Sequence, residues 1–162
     1  MSYEDKRPVA HVDPGSPAWW PETPANIYDA DAAPPVTYGR TVSHRDSDAY
    51  RVIELALGGL YKIAEINAYG ITNLDVGGGE VAQQGRAYYW DGSNWIESPD
   101  GLIIWIDSWI VVPWHFPSLP ETTKIKLEIK TYSASLSKTK LFDVLANVEA
   151  VPPSGNSQIA FI

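Results

Sequence analysis

From residue 50 onward, polar and apolar positions alternate with a period of two. Ile53, Leu55 and Leu57 are interleaved with Glu54 and Ala56. Gly58–Gly59 punctuates this run, and Tyr61–Tyr69 reads as a second strand. The pattern is clearest in Lys124–Tyr132, where Ile125, Leu127 and Ile129 fall on one side and Lys124, Lys126, Glu128 and Lys130 on the other. Successive side chains of a strand point to opposite faces, so this segment predicts a strand with one buried and one wet face. Phe142, Val144, Ala146 and Val148 alternate similarly with Asp143, Leu145, Asn147 and Glu149. Leu141–Ala150 holds no helix breaker, so a helix stays open as the alternative there. Leu102–Val112 is continuously apolar, which predicts a strand or strand pair buried on both faces, ended by Pro113, Pro117 and Pro120.

Turn chemistry separates these runs. Gly77–Gly79 is a flexible loop and Asp100–Gly101 a turn. Arg86–Trp90, Asp91–Asn94 and Trp95–Glu97 read as strand, short turn and strand, a hairpin. Short strands spaced by roughly 8–12 residues, with Gly and Pro between them, predict an all-β fold: an antiparallel jelly-roll β-sandwich. The flanks differ. Residues 1–49 carry Pro8, Pro14, Pro17, Pro21, Pro24, Pro34 and Pro35, which remove ladder donors and fix φ. We therefore expect an extended Pro/Trp-rich arm over 1–24, lying on its own body or a neighbour's. The sandwich is expected over 25–151 and a short C-terminal tail over 152–162, whose apolar end Ile159–Ile162 should dock somewhere.

Composition narrows the function classes. The 162 residues suit a single domain, and the absence of cysteine removes disulfides, thiolate metal sites and thiol nucleophiles. A net charge of −8 repels phosphate backbones and anionic membrane surfaces, so nucleic acid is not expected as a partner. No secretory leader is visible, and no apolar run reaches the ~18–20 residues that span a bilayer. The expectation is a chain made as a soluble cytosolic protein without membrane insertion. Aromatic usage is skewed to 7 Trp and 9 Tyr against 3 Phe. Indole and phenol rings pair an apolar body with a polar tip, which suits sugar faces, interfaces and sandwich cores alike.

Taken in order, the segments resemble the discoidin or coagulation-factor C-type module, a galactose-binding-like jelly roll. Pro24–Asp31 looks like its opening Asn-x-x-Asp-x-Asp stretch and Tyr50–Gly58 like its aromatic, hydrophobic, Leu-Gly strand. Tyr61–Ile66 looks like the strand that follows, and Tyr89–Trp95 like its Asp-Gly-x-x-Trp hairpin. Lys124–Ile129 and Leu141–Ala150 sit where the family places its last strands. The resemblance spans about residues 19–151 and implies the fold. The family's bridging cysteines and basic ligand-contacting spikes have no counterpart here, so it does not transfer a ligand.

Little in the sequence marks chemistry. His11, His44 and His115 show no metal-ligand spacing. There is no nucleophile elbow and no phosphate cradle, and His44-Arg45-Asp46 lacks the rest of a kinase signature. We expect no catalytic residues and no enzyme activity. No cofactor is implied, save that the resembled family can hold a structural calcium where Asn26, Asp29 and Asp31 lie. Three side chains fall short of the 6–8 oxygens calcium takes, and an Asx-rich turn is the favoured reading. Trp90, Asn94 and Trp95 flank or form an exposed turn and are candidate contacts for a ligand or partner. Trp19 and Trp20 in the arm are candidates for insertion into a hydrophobic pocket. Trp105, Trp109 and Trp114 also offer indole faces, with Trp105 and Trp109 favoured as core.

Two functional expectations follow. The first is a non-enzymatic structural subunit of a virion, a capsid, decoration or tail component. Its arm and tail would tie copies of itself or other structural subunits together, recovering their ordering entropy on a neighbour. The alternative is a carbohydrate-binding, lectin-like module whose partner is a glycan.

Overall fold

The computed structural model describes residues 2–12, 42–44, 51–70, 73–74, 80–81, 83–105, 110–131 and 139–153. They form strands β1 (Glu4–Lys6), β2 (Ala10–Val12), β3 (Val42–His44), β4 (Arg51–Gly70), β5 (Asn73–Leu74) and β6 (Glu80–Val81). There follow β7 (Gln83–Trp90), β8 (Trp95–Glu97), β9 (Ile103–Trp105), β10 (Ile110–His115), β11 (Glu121–Thr131) and β12 (Thr139–Ala150). Among the described residues there is no helix, hence none long and apolar enough to cross a membrane.

The architecture is an antiparallel β-sandwich organised by one strand. The first half of β4 pairs with β11 on one side, Leu55 opposite Ile125, and with β2 on the other, Leu55 opposite His11. Its second half keeps β11 only at Tyr61 and Lys62 and otherwise pairs with β12, Ile66 opposite Ala146, and with β10, Ile66 opposite Trp114. β11 carries β7, which carries β8 and β9, while β12 carries β1 and β3. Two layers thus share β4 and close over one core. Ile53, Leu55, Ala87, Ile125, Leu127 and Trp105 line it from one layer, and Ile66, Val112, Trp114, Val144, Ala146 and Val148 from the other. Ring contacts cross between them: Trp105 meets Trp114 edge-on at 6.3 Å, and Tyr89 meets Phe116 at 5.7 Å. Burying each large aliphatic or aromatic side chain contributes roughly 1.5–3 kcal/mol.

The period-two reading of Leu141–Ala150 wins over the helical one: Val144, Ala146 and Val148 are buried and the segment pairs on both sides. Three sequence expectations need correction. Gly58–Gly59 does not separate two strands. Gly58, at φ 80°, lies within β4 where it passes from one layer to the other. Leu102–Val112 is not buried on both faces. β9 and β10 belong to opposite layers, and each pairs with a single strand among those described. Ile104 and Val111 are consequently exposed while Trp105 and Val112 are buried. Pro113 does not end its strand either. It sits within β10 opposite Asn67, and an edge strand tolerates the missing donor.

Residues 4–12 of the arm add a strand to each layer of their own chain, joined through the buried Pro8. The rest of the arm, and the chain from there to β3, lie outside the described residues.

Candidate functional site

Alternation along β7 turns Ala87 and Tyr89 toward the core and leaves Arg86, Tyr88 and Trp90 on the outer face. Along β11 it does the same for Lys124, Lys126 and Glu128. Register then places Lys126 opposite Tyr88, Tyr88 opposite Glu97 and Trp90 opposite Trp95. The outcome is a belt of rings and ammonium groups. The Trp90 and Trp95 rings are 5.2 Å apart and inclined at 60°. The Lys124 ammonium lies 4.6 Å from the Trp90 ring centre and 5.6 Å from that of Trp95. The Lys126 ammonium lies 4.2 Å from Tyr88 and 5.2 Å from Trp95. Such contacts are worth about 0.5–2 kcal/mol each, rising as water is excluded.

Two of the three cations in this belt have carboxylate partners. Arg86 is 3.4 Å from Glu97, and Lys126 is 3.3 Å from Glu128. Tyr88 donates to the other oxygen of Glu128 at 2.9 Å. Burial, this hydrogen bond and the Glu128 charge push the Tyr88 hydroxyl above the usual phenol range, so it stays a neutral donor. No carboxylate among the described residues pairs with Lys124.

The hairpin turn is built by Asp91. Its Oδ1 accepts the backbone N–H groups of Ser93 and Asn94, each at 2.7 Å, and its own N–H donates to the Asn94 carbonyl at 3.1 Å. The Asn94 and then the Ser93 N–H hold the Asp91 carboxyl below the usual carboxylate range. Gly92 adopts φ 103° there. Beneath the turn a groove of about 160 Å³ is lined by Leu60, Trp90, Asp91, Gly92, Glu121, Thr122 and Thr123. Thr122 fixes its floor. The β11 ladder breaks register between Thr122 and Lys124, and the buried Thr122 hydroxyl fills the gap. It accepts from the N–H of Trp90 and of Lys124, both at 3.2 Å, and has the carbonyls of Trp90 and Lys124 as acceptors at 2.9 and 2.7 Å.

A second polar cluster surrounds His115. Asp100 Oδ2 accepts both the His115 backbone N–H and ring Nδ1–H at 2.7 Å, while ring Nε2 faces Glu65 at 3.6 Å. Ser98 donates to the His115 carbonyl at 2.8 Å, not to its ring. A hydroxyl activated by imidazole would need the reverse arrangement. No group of three His, Asp or Glu side chains among the described residues could hold a metal ion.

Of the residues singled out in the sequence, Trp90 and Trp95 stand opposite each other across the hairpin with their rings tilted against one another, and Asn94 sits exposed in its turn. Trp105 and Trp114 are core, the latter donating its Nε1–H to the Gly101 carbonyl at 3.1 Å, so neither offers an external face. Trp19, Trp20, Trp109, Asn26, Asp29 and Asp31 lie outside the described residues. Sequence reasoning missed Tyr88, Lys124 and Lys126 around the indoles, and Leu60, Glu121, Thr122 and Thr123 in the groove. The wet-face alternation of β11 marked both lysines as outward. What it lacked was the register that sets them beside β7.

No family model and no curated protein matches this sequence. Solved structures do. The family 32 carbohydrate-binding module of AlyQ, in complex with 4,5-unsaturated mannuronic acid, superposes with a TM-score of 0.63 at 12% identity over 88% of this chain and 97% of that one. A family 32 module from a family 31 glycoside hydrolase of Clostridium perfringens gives 0.60 at 12% identity, over 88% and 96%. The family 32 module of C. perfringens NanJ, in complex with galactose, gives 0.56 at 12% identity, over 85% and 90%. These neighbours overturn the expectation of a virion subunit, whether capsid, decoration or tail component, and with it a virion location. They are sugar-binding modules of carbohydrate-active enzymes. The physical premise also weakens, because residues 4–6 and 10–12 of the arm pair with this chain's own strands. At such low identity the likeness speaks for the backbone alone: this chain has the galactose-binding-like, discoidin-type jelly roll of the family 32 carbohydrate-binding modules.

Proposed function

We propose that this chain is a non-catalytic carbohydrate-binding module that grips a glycan in the groove beneath the β7–β8 turn. The observation that carries this reading is the make-up of the groove: the Trp90 indole and Leu60 beside the carboxylates of Asp91 and Glu121 and two threonines. A pyranose presents an apolar C–H face and a ring of hydroxyl donors, so it needs both kinds of wall. At about 160 Å³ the groove falls below the roughly 300–1,000 Å³ that enclose a free small molecule, so it suits one ring of a longer chain lying across an open surface. The sugars held by the AlyQ and NanJ modules support the same class of ligand.

Glycan-array screening of the full chain, followed by calorimetry on whatever it retains, tests the proposal. Trp90→Ala should weaken the retained glycan at least about tenfold, as expected when an aromatic anchor is lost. Glu121→Gln should weaken it more modestly, with the melting temperature as the check on folding. The glycan should be recovered uncleaved after long incubation. Retention of no glycan, or equal affinity in both variants, overturns the binding reading; a cleaved product overturns the non-catalytic one.

A further inference from the structure

We infer that the glycan taken at this site is acidic, a uronic-acid chain whose carboxylate pairs with the Lys124 ammonium beside the groove. This names the ligand class for the binding reading above and rests on it. The starting point is an imbalance of charge. The chain carries −8 overall, yet Lys124 stands on the outer face with no carboxylate partner among the described residues, although Arg86 and Lys126 on the same face each have one. What holds Lys124 is aromatic: its ammonium rests over Trp90 at 4.6 Å and near Trp95 at 5.6 Å.

The distinction matters physically. A carboxylate beside Lys124 would cancel its charge. An indole quadrupole positions the ammonium and leaves the charge intact. A surface lysine ordinarily gives up about 2 kcal/mol of rotamer freedom to make a contact. Here the rings have already restricted the stem, so an arriving anion meets a pre-organised cation.

Lys124 is also coupled to the groove. Trp90 is shared between them, and the Thr122 hydroxyl ties the backbones of Trp90 and Lys124 together. The groove itself bears Asp91 and Glu121, which repel an anion but accept hydrogen bonds from sugar hydroxyls. A ligand that satisfies both halves has hydroxyls on one side and a negative group on the other, displaced toward Lys124. A uronate ring has that asymmetry. A neutral hexose leaves the ammonium without an anion, and a densely charged polyphosphate meets repulsion from both groove carboxylates and the net charge.

Calorimetry with the full chain decides the matter. The probes are oligogalacturonate and oligomannuronate, each paired with the same oligosaccharide after reduction of its carboxyls to alcohols, and a sulfated galactan. At least one uronate should bind about tenfold or more tightly than its reduced form, the scale of one charge-assisted hydrogen bond. Lys124→Gln should abolish that preference while sparing the reduced form, and Lys124→Arg, which keeps charge and stacking, should retain it. Equal binding of uronate and reduced forms, a preference that survives Lys124→Gln, or capture of the sulfated galactan without either uronate overturns the inference. Those results leave carbohydrate binding itself standing. If neither these probes nor a neutral glycan array yields binding, both readings fall.

Discussion

Single side chains hold this molecule's outer face in place by satisfying backbone that the ladders leave open. Thr122 does so at the break in β11, and Asp100 does so where β10 ends. Asp100 draws its ionisation from that role. The His115 backbone N–H, at 2.7 Å, is the main reason its carboxyl sits below the usual range, partial burial opposes it, and the imidazole adds to it. A carboxyl whose folded pKa is depressed favours the folded state above its unfolded value, near 4. That contribution drains as pH falls through the folded value. Thermal melts of the parent and Asp100→Asn from pH 7 to pH 2.5 should therefore differ most near neutrality and converge in acid. A constant difference across that range would show that the carboxylate charge is not what stabilises the turn. The contribution should be modest, because Asp100 keeps about 35% of its side-chain surface in water. None of this was legible in the sequence, where Asp100 reads as half of an Asp-Gly turn and His115 as an isolated histidine. Their meeting depends on β10 lying along β4. Trp90 and Trp95 were legible because a short hairpin places its flanking residues opposite one another by local geometry alone.

Among the elements, β4 is the one on which the sandwich turns. It pairs with β11 from Arg51 to Ala56, with both β11 and β12 at Tyr61 and Lys62, and with β12 but no longer β11 from Ile63 on. Gly58 begins the passage at φ 80°, a region costly for residues with a Cβ. A Cβ built on Gly58 would also lie 3.0 Å from Val9 Cγ2. Gly58→Ala should thus cost about 1–3 kcal/mol by denaturant unfolding. Val9 is 57% exposed, so Val9→Ala alone should change stability by less than about 0.5 kcal/mol. In the double variant the smaller side chain should return the steric part of the loss and leave the dihedral part. Full recovery would place the whole penalty in the Val9 contact and none in the backbone. Period-two alternation identified the buried faces of β4, β11 and β12, because burial of one face is a property of the strand itself, although Leu145 on the opposite side of β12 is buried as well. It could not show that a Gly pair carries one strand across two layers. Alternation continues on both sides of such a corner, and only the partners change. The apolar run of Leu102–Val112 misled for a related reason. Its exposed Ile104 and Val111 carry no polar signature, so the wet sides of two edge strands looked like core.

At the scale of the whole molecule, the first residues of the chain close both layers. β1 covers β12 from Ala146 to Val148, and β2 covers β4 from Glu54 to Ala56. Side chains reinforce the first of these: Asn147 donates to Asp5 at 3.1 Å, and the Lys6 ammonium lies 5.0 Å from the Tyr61 ring. A strand edge left open offers unpaired N–H and C=O groups to any other chain, and proteins protect such edges with short strands and charge. β1 and β2 are both short, each 3 residues long, and β1 adds charge, reading Glu-Asp-Lys. Removing residues 1–12 should bare β12 and β4 at once. The shortened chain should melt about 5 °C or more below the parent, given the 2–4 °C that one kcal/mol represents at this size. It should also elute ahead of the parent on size exclusion at raised concentration, since the newly exposed edges are free to pair between copies. Sugar binding should persist in whatever fraction stays folded, because the Trp90 groove lies on the β7–β8–β11 side and draws no residue from the removed segment. A shortened chain with unchanged melting and elution would mean that the two strands lie on the sandwich without sealing it.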